Sequence, residues 1–465
     1  MSDLIVISNR VPPPESGEGN QGGLAVGLLN ALKSGNGLWM GWGGEIVEEG
    51  EPEPPAAEYS FGGVDFATYP LSRDDYDSYY TGFSNEVLWP LFHYRVDKMA
   101  YDRRKRSGYF RVNRMFAERI SKRITKQARV WVHDYHLIAL GTYLRKLAPD
   151  VPIGFFLHTP FPPWQVLRVL PDYEELLEAF TGYDLIGMQT DGDRDNLVQA
   201  LRHGLGAEME GDRVRYGDRC VDIRTFPISI DVEEVAALAA SGRESLPSRR
   251  LSRSLLERPM IIGVDRLDYS KGIHQRFAAF ERTLELYPHH RDKVTYMQIA
   301  PPSRVDVDEY VELRADLEGV AGHINGRFSE FDWTPLRYLN RGYSREVIMG
   351  FMRQARVGLV TPLRDGMNLV AKEFVASQAE QDPGVLIISH LAGATAELGD
   401  GALVCNPNDI DGMAEMIHRA LTMPLAERQE RWRQMMDTLR GYDIHRWGND
   451  FMHALERLPS ANDES

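Results

Sequence analysis

Short apolar runs of three to five residues recur along the chain, separated by longer stretches of mixed character. Apolar and polar residues do not alternate within the runs, which is typical of strands buried on both faces of a parallel sheet. The stretches between them carry apolar residues at helical spacing, as at Leu197 and Leu201 or at Ile348 and Met352. This pattern predicts an α/β fold with parallel sheets. The predicted strands cover residues 4–7, 130–132, 153–157, 185–188, 260–264, 357–360 and 385–388.

The order of these elements predicts two doubly wound, Rossmann-like domains. Asp231 and Glu234 have the spacing of a capping box at the start of a helix, and a polar, basic connection follows from Ser245 before strands resume. We therefore place the domain boundary between 230 and 258. The predicted domains are residues 1–235 and residues 236–440.

The end of the chain carries one further helical stripe of large apolar residues. It consists of Trp447, Phe451, Leu455 and Leu458. Such a stripe must be buried, so we expect the helix at 440–458 to pack back on the first domain. In doubly wound domains, ligands bind beyond the carboxyl ends of the strands. We therefore expect the functional residues at strand ends that face each other across a deep cleft.

Composition and charge exclude several classes of protein. The chain has 465 residues, of which 43% are hydrophobic, so it is neither disordered nor a disulfide-rich miniprotein. Its 68 acidic and 53 basic residues leave a net charge of −15, which disfavours binding to nucleic acid or anionic lipid. Cys220 and Cys405, both predicted to be buried, form no disulfide framework. With no secretory signal and no apolar run of 18 residues, the sequence predicts a cytoplasmic protein.

A glycine-rich loop follows the first strand. Gly22 and Gly23 precede a helix predicted to run through Leu28 and Leu32. Glycines let the backbone approach a ligand closely, and the helix N-terminus offers N–H groups to an anion, although a plain tight turn is equally compatible. The spacing is neither G-x-G-x-x-G nor a P-loop, which disfavours a dehydrogenase.

Two strand ends of the first half carry histidines and a carboxylate. His133, Asp134 and His136 follow one strand, but His133 and His136 lie three residues apart and point to opposite faces, which argues against a shared metal. Asp134 is suited to accept hydrogen bonds from sugar hydroxyls. His158 ends the next strand just before two prolines, which would hold it at the site or simply stiffen a packed turn.

Cations follow the strands of the second half. Arg266 and Lys271 lie five residues apart after the strand at 260–264, and Arg304 follows another strand. An arginine fork and a lysine point charge together suit a pyrophosphate. A salt-bridged surface turn, with Asp265 and Asp268 as partners, is the alternative for the first pair.

The most specific segment is a strand, a glycine turn and a helix start at 360–373. N–H groups at Leu369 and Val370 are placed to meet a phosphate at the helix N-terminus. Glu373, one turn further on, could accept hydrogen bonds from both ribose hydroxyls. Asp365 and Asn368 lie at the turn, within reach of a sugar ring.

These segments, in this order, resemble the GT-B family of retaining glycosyltransferases that make trehalose 6-phosphate. The resemblance covers nearly the whole chain. It rests on the motifs SNRVP, GGLAVG, GWGG, FSNEVLWP, HDYHL, GFFLHTPFP, DRLDYSKG, QIAPPSR and LVTPLRDGMNLVAKE. The family's HIPFP motif is HTPFP here, so Thr159 places a hydroxyl beside the expected acceptor pocket.

The resemblance implies two substrate sites. For the acceptor, glucose 6-phosphate, Arg10 and Arg304 would clamp the phosphate, Tyr80 would hydrogen-bond it, Trp89 would form a sugar platform and Asp134 would orient hydroxyls. For the donor, a nucleoside diphosphate glucose, it implies Gly22, Gly23, His158, Arg266, Lys271, Tyr343 beside the base, Asp365, Gly366, Met367, Asn368, Leu369, Val370 and Glu373. The residues implied in catalysis are Asp134, His158, Arg266, Lys271 and Asp365.

The implied reaction forms an α,α-1,1 linkage with retention, by front-face attack in which the leaving phosphate accepts the acceptor's proton. It needs neither a metal nor a cofactor, and UDP-glucose is the expected donor, although base contacts through the backbone leave the nucleotide open. Two alternatives remain: a glucosylglycerol-phosphate synthase that uses glycerol 3-phosphate, and a catalytically silent sugar-phosphate sensor. The expected partners are these small molecules, and a homodimer or homotetramer is compatible with the sequence.

Overall fold

The computed structural model describes residues 4–11, 28–29, 32, 37–52, 54–303 and 308–458. The chain divides into two units, the first formed by Met1–Pro227 with His445–Ser465 and the second by Ile228–Ile444. Each unit is built on one sheet. In the part of the chain that the structure describes, no helix is long and apolar enough to cross a membrane.

The sheet of the first unit has ten strands in the order β3-β4-β2-β1-β5-β6-β7-β10-β9-β8. From β4 to β10 the neighbours are parallel, whereas β3, β9 and β8 add antiparallel edges. The strands are β1 Leu4–Arg10, β2 Leu38–Val47, β3 Ala57–Phe61, β4 Val64–Ser72, β5 Arg129–His133, β6 Ile153–Phe156, β7 Leu185–Met188, β8 Glu208–Glu210, β9 Arg213–Tyr216 and β10 Arg219–Thr225.

Helices of the first unit connect these strands. They are α1 Arg73–Asp75, α2 Trp89–Phe92, α3 Arg103–Ser121, α4 Leu140–Leu147, α5 Trp164–Leu167, α6 Tyr173–Phe180, α7 Asp191–Leu205 and, at the end of the chain, α17 Ile444–Glu456. A π-helix covers Tyr76–Leu88, and short 3₁₀ turns cover Val96–Lys98 and Tyr135–Leu137. The helix predicted after the glycine-rich loop is present at Leu28, Leu29 and Leu32.

The second unit has a parallel sheet of six strands in the order β13-β12-β11-β14-β15-β16. This is the doubly wound order 3-2-1-4-5-6, whose switch point lies between β11 and β14. The strands are β11 Met260–Val264, β12 Thr295–Ile299, β13 Leu336–Leu339, β14 Val357–Val360, β15 Val385–Ser389 and β16 Leu403–Cys405. The helices are α8 Val232–Glu244, α9 Leu246–Leu255, α10 Ile273–Leu286, α11 Asp308–Phe328, α12 Arg345–Met352, α13 Leu369–Ser377, α14 Thr395–Leu398, α15 Ile410–Thr422 and α16 Leu425–Gly441, with 3₁₀ turns at Tyr269–Lys271 and Pro288–His290.

All seven apolar runs are strands of these two sheets, which confirms the α/β prediction. The predicted helix start is also present, because the Asp231 carboxylate caps the helix by accepting a hydrogen bond from the Glu234 N–H at 2.9 Å. The strands that the apolar runs did not predict have no unbroken run of buried apolar residues along their whole length. Glycines interrupt β2, and every residue of β8 is exposed at the sheet edge.

The polar connection after Ser245 is helix α9, because Ser245 caps it and Leu251 and Leu255 form a buried stripe. One local expectation was wrong. Cys405 is buried as predicted, but Cys220 is half-buried and its thiol lies 3.1 Å from a carboxylate oxygen of Glu210.

The last helix packs within the first unit through its aromatic residues. Trp447 and Phe451 are completely buried, and their rings lie 5.1 Å and 4.5 Å from the ring of Trp131 on β5. These contacts place α17 against the sheet below the strand end that carries Asp134. The aromatic contacts therefore support one wall of the candidate site.

Candidate active site

The first cluster of predicted site residues lies where the strand order of the first sheet reverses. Strands β1 and β5 are parallel neighbours, with Ser8 in register with His133. Arg10 and Asp134 therefore follow at the same edge of the sheet. Such a switch point is where doubly wound sheets bind ligands.

Arg10 is exposed and rests on an aromatic ring. Its guanidinium carbon lies 4.6 Å from the centre of the Trp42 ring. Gly44, from the GWGG motif, has φ +99° and lies so close that a Cβ there would come within 2.0 Å of an Arg10 nitrogen. Trp42 and Gly44 thus hold the cation in place without neutralising it. This packing is a physical reason for a tryptophan and a glycine at these positions of the GWGG motif.

Aromatic rings connect Arg10 to the other predicted acceptor residues. Tyr80, in the π-helix, lies 5.5 Å from Trp42 and stacks on His136 at 5.8 Å and 10°. The ring of Tyr135 then lies 3.9 Å from His136 and 5.6 Å from Trp89. Trp89 is only 5% exposed, so a sugar could reach no more than its edge. The sugar platform expected at Trp89 stays a prediction.

Asp134 has a backbone conformation that is unusual for aspartate. Its φ is +74°, in a region that costs a residue with a side chain about 1–3 kcal/mol. The strain persists because the Asp134 N–H donates to the carbonyl of Phe156 at 2.8 Å, while its carboxylate accepts from the His158 N–H at 3.2 Å. Strain of this kind is typical of functional sites.

His158 belongs to a pair of stacked imidazoles. Its Nε2 lies 3.1 Å from Nδ1 of the completely buried His133, and its Nδ1 lies 3.4 Å from the amide nitrogen of Gln189. Burial lowers the pKa of His158 to about 3. Burial, and then the neighbouring His158, lowers the pKa of His133 well below its usual range. Both rings are therefore neutral at physiological pH, so His158 can offer a hydrogen bond but is no reservoir of protons.

The second cluster lies at the switch point of the second sheet. Lys271 Nζ and Asp365 Oδ2 are 2.6 Å apart, and both side chains are mostly buried, at 12% and 14% exposure. The Asn368 side-chain amide donates to the same Asp365 oxygen at 3.0 Å. Arg266, five residues before Lys271 in the sequence, is exposed. The alternative, a surface turn salt-bridged by Asp265 and Asp268, does not hold for Lys271, because the Lys271 ammonium pairs with Asp365.

The loop that carries Lys271 is pressed against the end of β14. Gly272 has φ +67°, and a Cβ there would lie 2.3 Å from the carbonyl oxygen of Thr361. Asp268 caps the 3₁₀ turn by accepting the Ser270 N–H at 2.9 Å. A glycine is therefore required for the loop to approach the strand, and the approach brings Lys271 to the sheet edge.

Helix α13 points its N-terminus at the same edge. Asn368, with φ +88°, caps it by accepting the Ala371 N–H at 3.3 Å. The first-turn N–H groups of Leu369 and Val370 lack intrahelical acceptors, as in any α-helix, and carry partial positive charge. Gly366 and Met367, before the cap, complete the turn that leads from Asp365 into the helix.

Glu373 follows one turn into α13 and is held by an arginine that the sequence analysis did not identify. Its carboxylate lies 3.5 Å from Arg345 Nε, and Arg345 also donates to Glu234 at 2.9 Å. Burial raises the pKa of Glu373, and Arg345 opposes that rise. Tyr343, two residues before Arg345, accepts a hydrogen bond from Arg341 at 2.7 Å and packs edge-on against Phe351.

Arg276 was also missed. It is completely buried, ion-paired with Asp265, and donates to Thr361 at 3.0 Å and to the backbone carbonyl of Lys271 at 2.7 Å. Arg276 lies on α10 among the buried residues Ile273, Phe277 and Phe280. The signal that could have identified Arg276 is its position among apolar residues at helical spacing, where a charged residue is unusual.

Three predicted site residues, Gly22, Gly23 and Arg304, lie outside the described residues. Within the first unit the structure brings together Arg10, Tyr80, Trp89, Asp134 and His158. Within the second it brings together Lys271, Asp365 and Asn368, with α13 beginning at the next residue.

Two units on parallel sheets, with cations and a helix N-terminus at their switch points, define a nucleotide-sugar transferase of the GT-B fold, the fold of the similar solved structures. The chain belongs to glycosyltransferase family 20, whose model matches residues 5–457. The family resemblance drawn from the motifs is thereby confirmed.

Named relatives agree with this family. The trehalose-6-phosphate synthase of Sodalis glossinidius (strain morsitans) is 46% identical over 461 residues, which cover 99% of this chain and 97% of the relative. A trehalose-phosphate synthase (UDP-forming) from Burkholderia xenovorans, solved in complex with glucose-6-phosphate, is 46% identical, with a TM-score of 0.93 over 97% of this chain and 99% of that one. A structure from E. coli, described as trehalose-6-phosphate bound with UDP-2-fluoro glucose, is 42% identical, with a TM-score of 0.92 over 98% and 99% of the two chains.

We predict that the His158 ring stays neutral well below pH 6. The unfolded chain takes up this proton near pH 6.5, whereas the folded chain does so only near pH 3, so acidification between these values favours unfolding. NMR titration of histidine-labelled protein, with the His158→Gln variant to assign the signal, measures this directly. A His158 midpoint near 6.5 in folded protein would contradict the buried neutral pair.

Proposed function

We propose that this chain is a retaining glucosyltransferase that moves glucose from UDP-glucose to glucose 6-phosphate, forming α,α-trehalose 6-phosphate and UDP. The observation that carries the proposal is the Lys271–Asp365 pair beside the N-terminus of α13, in a family 20 chain. The names of the relatives support the same donor and acceptor. They do not favour a glycerol-phosphate acceptor or a silent sensor.

Three groups in the second unit carry full or partial positive charge, opposite to that of the donor's diphosphate. Lys271 contributes a nearly buried ammonium, Arg266 an exposed guanidinium, and α13 the N–H groups of Leu369 and Val370. Charges in a partly desolvated site act more strongly than in water. Glu373 would accept the ribose hydroxyls and Tyr343 would lie beside the base, and the proposal also retains Gly22 and Gly23.

The acceptor's phosphate requires positive charge. Arg10 of the first unit is held on Trp42 with its charge available, and we propose that it binds the phosphate. The proposal also retains Arg304. Tyr80 is half-buried beside it and would donate its hydroxyl. Asp134, fixed by its strained backbone, would orient the sugar hydroxyls, with Trp89 contributing only an edge.

The pair formed by Lys271 and Asp365 suggests how the second unit would bind the diphosphate and the glucose of the donor. The ammonium and the carboxylate lie 2.6 Å apart and neutralise each other. We propose that a diphosphate takes over Lys271, which frees Asp365 to accept hydrogen bonds from the glucose hydroxyls. Negative charge that grows on the leaving diphosphate then meets groups that are already in position.

The acid–base chemistry follows from the neutral histidines. Because His158 is a neutral imidazole and not an imidazolium at neutral pH, it would act as a hydrogen-bonding group and not as a general acid. We propose that the leaving phosphate itself accepts the proton of the attacking anomeric hydroxyl, on the same face, so that configuration is retained.

A cytoplasmic location is part of the proposal. Both cysteines of the chain are free thiols, Cys220 half-buried and Cys405 buried. Thiols without a disulfide are typical of a reducing compartment. The location can be measured by fractionating cells that produce the tagged chain.

A grid of donors and acceptors tests the proposed reaction. We expect release of nucleoside diphosphate only with glucose 6-phosphate as acceptor, and fastest with UDP-glucose among UDP-, ADP- and GDP-glucose. Product analysis should show a non-reducing disaccharide phosphate. Turnover with glycerol 3-phosphate, or binding of the sugar phosphate without turnover in any combination, would contradict the proposal.

Lys271→Met tests charge stabilisation of the leaving group. Removing one pre-positioned donor typically lowers kcat by about two to three orders of magnitude, and we expect a loss of that size here. Lys293→Met, an exposed lysine in the same unit, is the matched control and should leave kcat unchanged. A rate within threefold of the wild type in Lys271→Met would refute the role.

Arg276→Lys tests whether the buried guanidinium positions Lys271. A lysine keeps the charge near Asp265 but cannot also reach Thr361 and the Lys271 carbonyl. Displacement of the Lys271 loop by about 1 Å should raise the KM for donor or lower kcat by about ten- to a hundredfold, with the KM for acceptor unchanged. Arg282→Lys, on the solvent side of the same helix, is the control. Equal losses for both substrates would indicate a general structural defect instead.

A further inference from the structure

Three histidines that the proposed reaction does not use meet on one side of the second unit. His289 and His290 belong to the 3₁₀ turn Pro288–His290 after α10, and His418 belongs to α15. Each offers one ring nitrogen, and these three nitrogens lie within 4.8 Å of one another. A cluster of three imidazoles drawn from two separate elements has the donor set of a transition-metal site.

Two of the rings are already in contact and oriented. His290 Nε2 and His418 Nδ1 are 2.9 Å apart. Tyr287 stacks on His418, with ring centres 3.9 Å apart and planes inclined by 8°, which restrains the direction of that ring. His290 is 8% exposed, whereas His289 is exposed, so the cluster is anchored on one side and open to solvent on the other.

The hydrogen bond between the two rings occupies the atoms that a metal would use. One of the two facing nitrogens carries the proton, and if that proton moves to the other nitrogen of the same ring, both present lone pairs to the space between them. Metal binding at His290 and His418 therefore requires no release of a proton from either ring.

The distances require only small movements. Ligand nitrogens at about 2.1 Å from zinc in tetrahedral geometry are about 3.4 Å apart. The His290–His418 pair must therefore open by a few tenths of an ångström. The His289 nitrogen lies within 4.8 Å of the other two, and the exposed side chain of His289 can bring it closer by rotation.

We propose that His289, His290 and His418 bind one divalent transition-metal ion, zinc in the first instance, with solvent in the fourth position. Imidazole nitrogens favour zinc, nickel and copper over magnesium and calcium, which prefer oxygen ligands. The ion would join the turn after α10 to α15. Both elements border the core formed by residues such as Phe280, Leu284 and Ile417, so the metal would tie down one side of the second unit.

Calorimetric titration of the full-length chain with Zn²⁺, after removal of metals by a chelator, tests the proposal. We expect one ion per chain with a dissociation constant in the micromolar range or tighter, and an upward shift of Tm on addition of Zn²⁺. His289→Ala and His418→Ala should each weaken binding by about tenfold or more and abolish the shift of Tm. Both replace accessible rings, so folding can be verified by circular dichroism and by an unchanged Tm without metal.

His274→Ala is the matched control, because this exposed histidine of the same unit pairs with Asp316 outside the cluster. It should bind zinc as the wild type does. Co²⁺ supplies a second probe, since tetrahedral nitrogen coordination produces visible absorption bands that the His418→Ala variant should lose. Absence of stoichiometric binding, or wild-type affinity in both cluster variants, would overturn the proposal whether or not the chain transfers glucose.

Discussion

A guanidinium without any contact to solvent holds the functional edge of the second unit together. Arg276 joins Asp265 after β11, Gln298 in β12 and Thr361 after β14, and it also binds the carbonyl of Lys271. A buried charge that lost these partners would destabilise the fold by several kcal/mol, so the strand ends and the loop must stay in register. The ammonium of Lys271 is thereby placed before a ligand arrives, which is the condition for strong electrostatic stabilisation.

The first unit also holds a cation in place before a ligand arrives, but it does so with aromatic rings and not with a buried ion pair. Arg10 lies on Trp42, against a position where Gly44 leaves room for its guanidinium. A ring face attracts the cation without neutralising it, so its charge remains available to an anion. Asp134 is fixed by main-chain hydrogen bonds in a strained conformation. In both units, rigid surroundings orient the groups that would meet phosphate and sugar.

The parts of the site that could be predicted follow directly from strands. Asp134, His158 and Arg266 each come within a few residues of the end of an unbroken apolar run, and parallel strands bring such ends to one edge. Arg276 and Arg345 were missed because they lie within helices, where a charged residue is usually solvated. The limited exposure of Trp89 was equally hidden, since one of the rings that pack on it, that of Tyr135, comes from a segment distant in sequence.

The sequence by itself determined the seven strands with unbroken apolar runs, the helix starts after Asp231 and Asn368, the cations at strand ends and the family, because each depends on residue types at short and fixed spacing. Only the tertiary structure decided which partner each charged or polar group takes. Lys271 pairs with Asp365 across 94 residues, and His290 meets His418 across 128. Hydrogen bonds and ion pairs depend on separation in space, and spacing along the chain carries no record of that distance until the strands have paired.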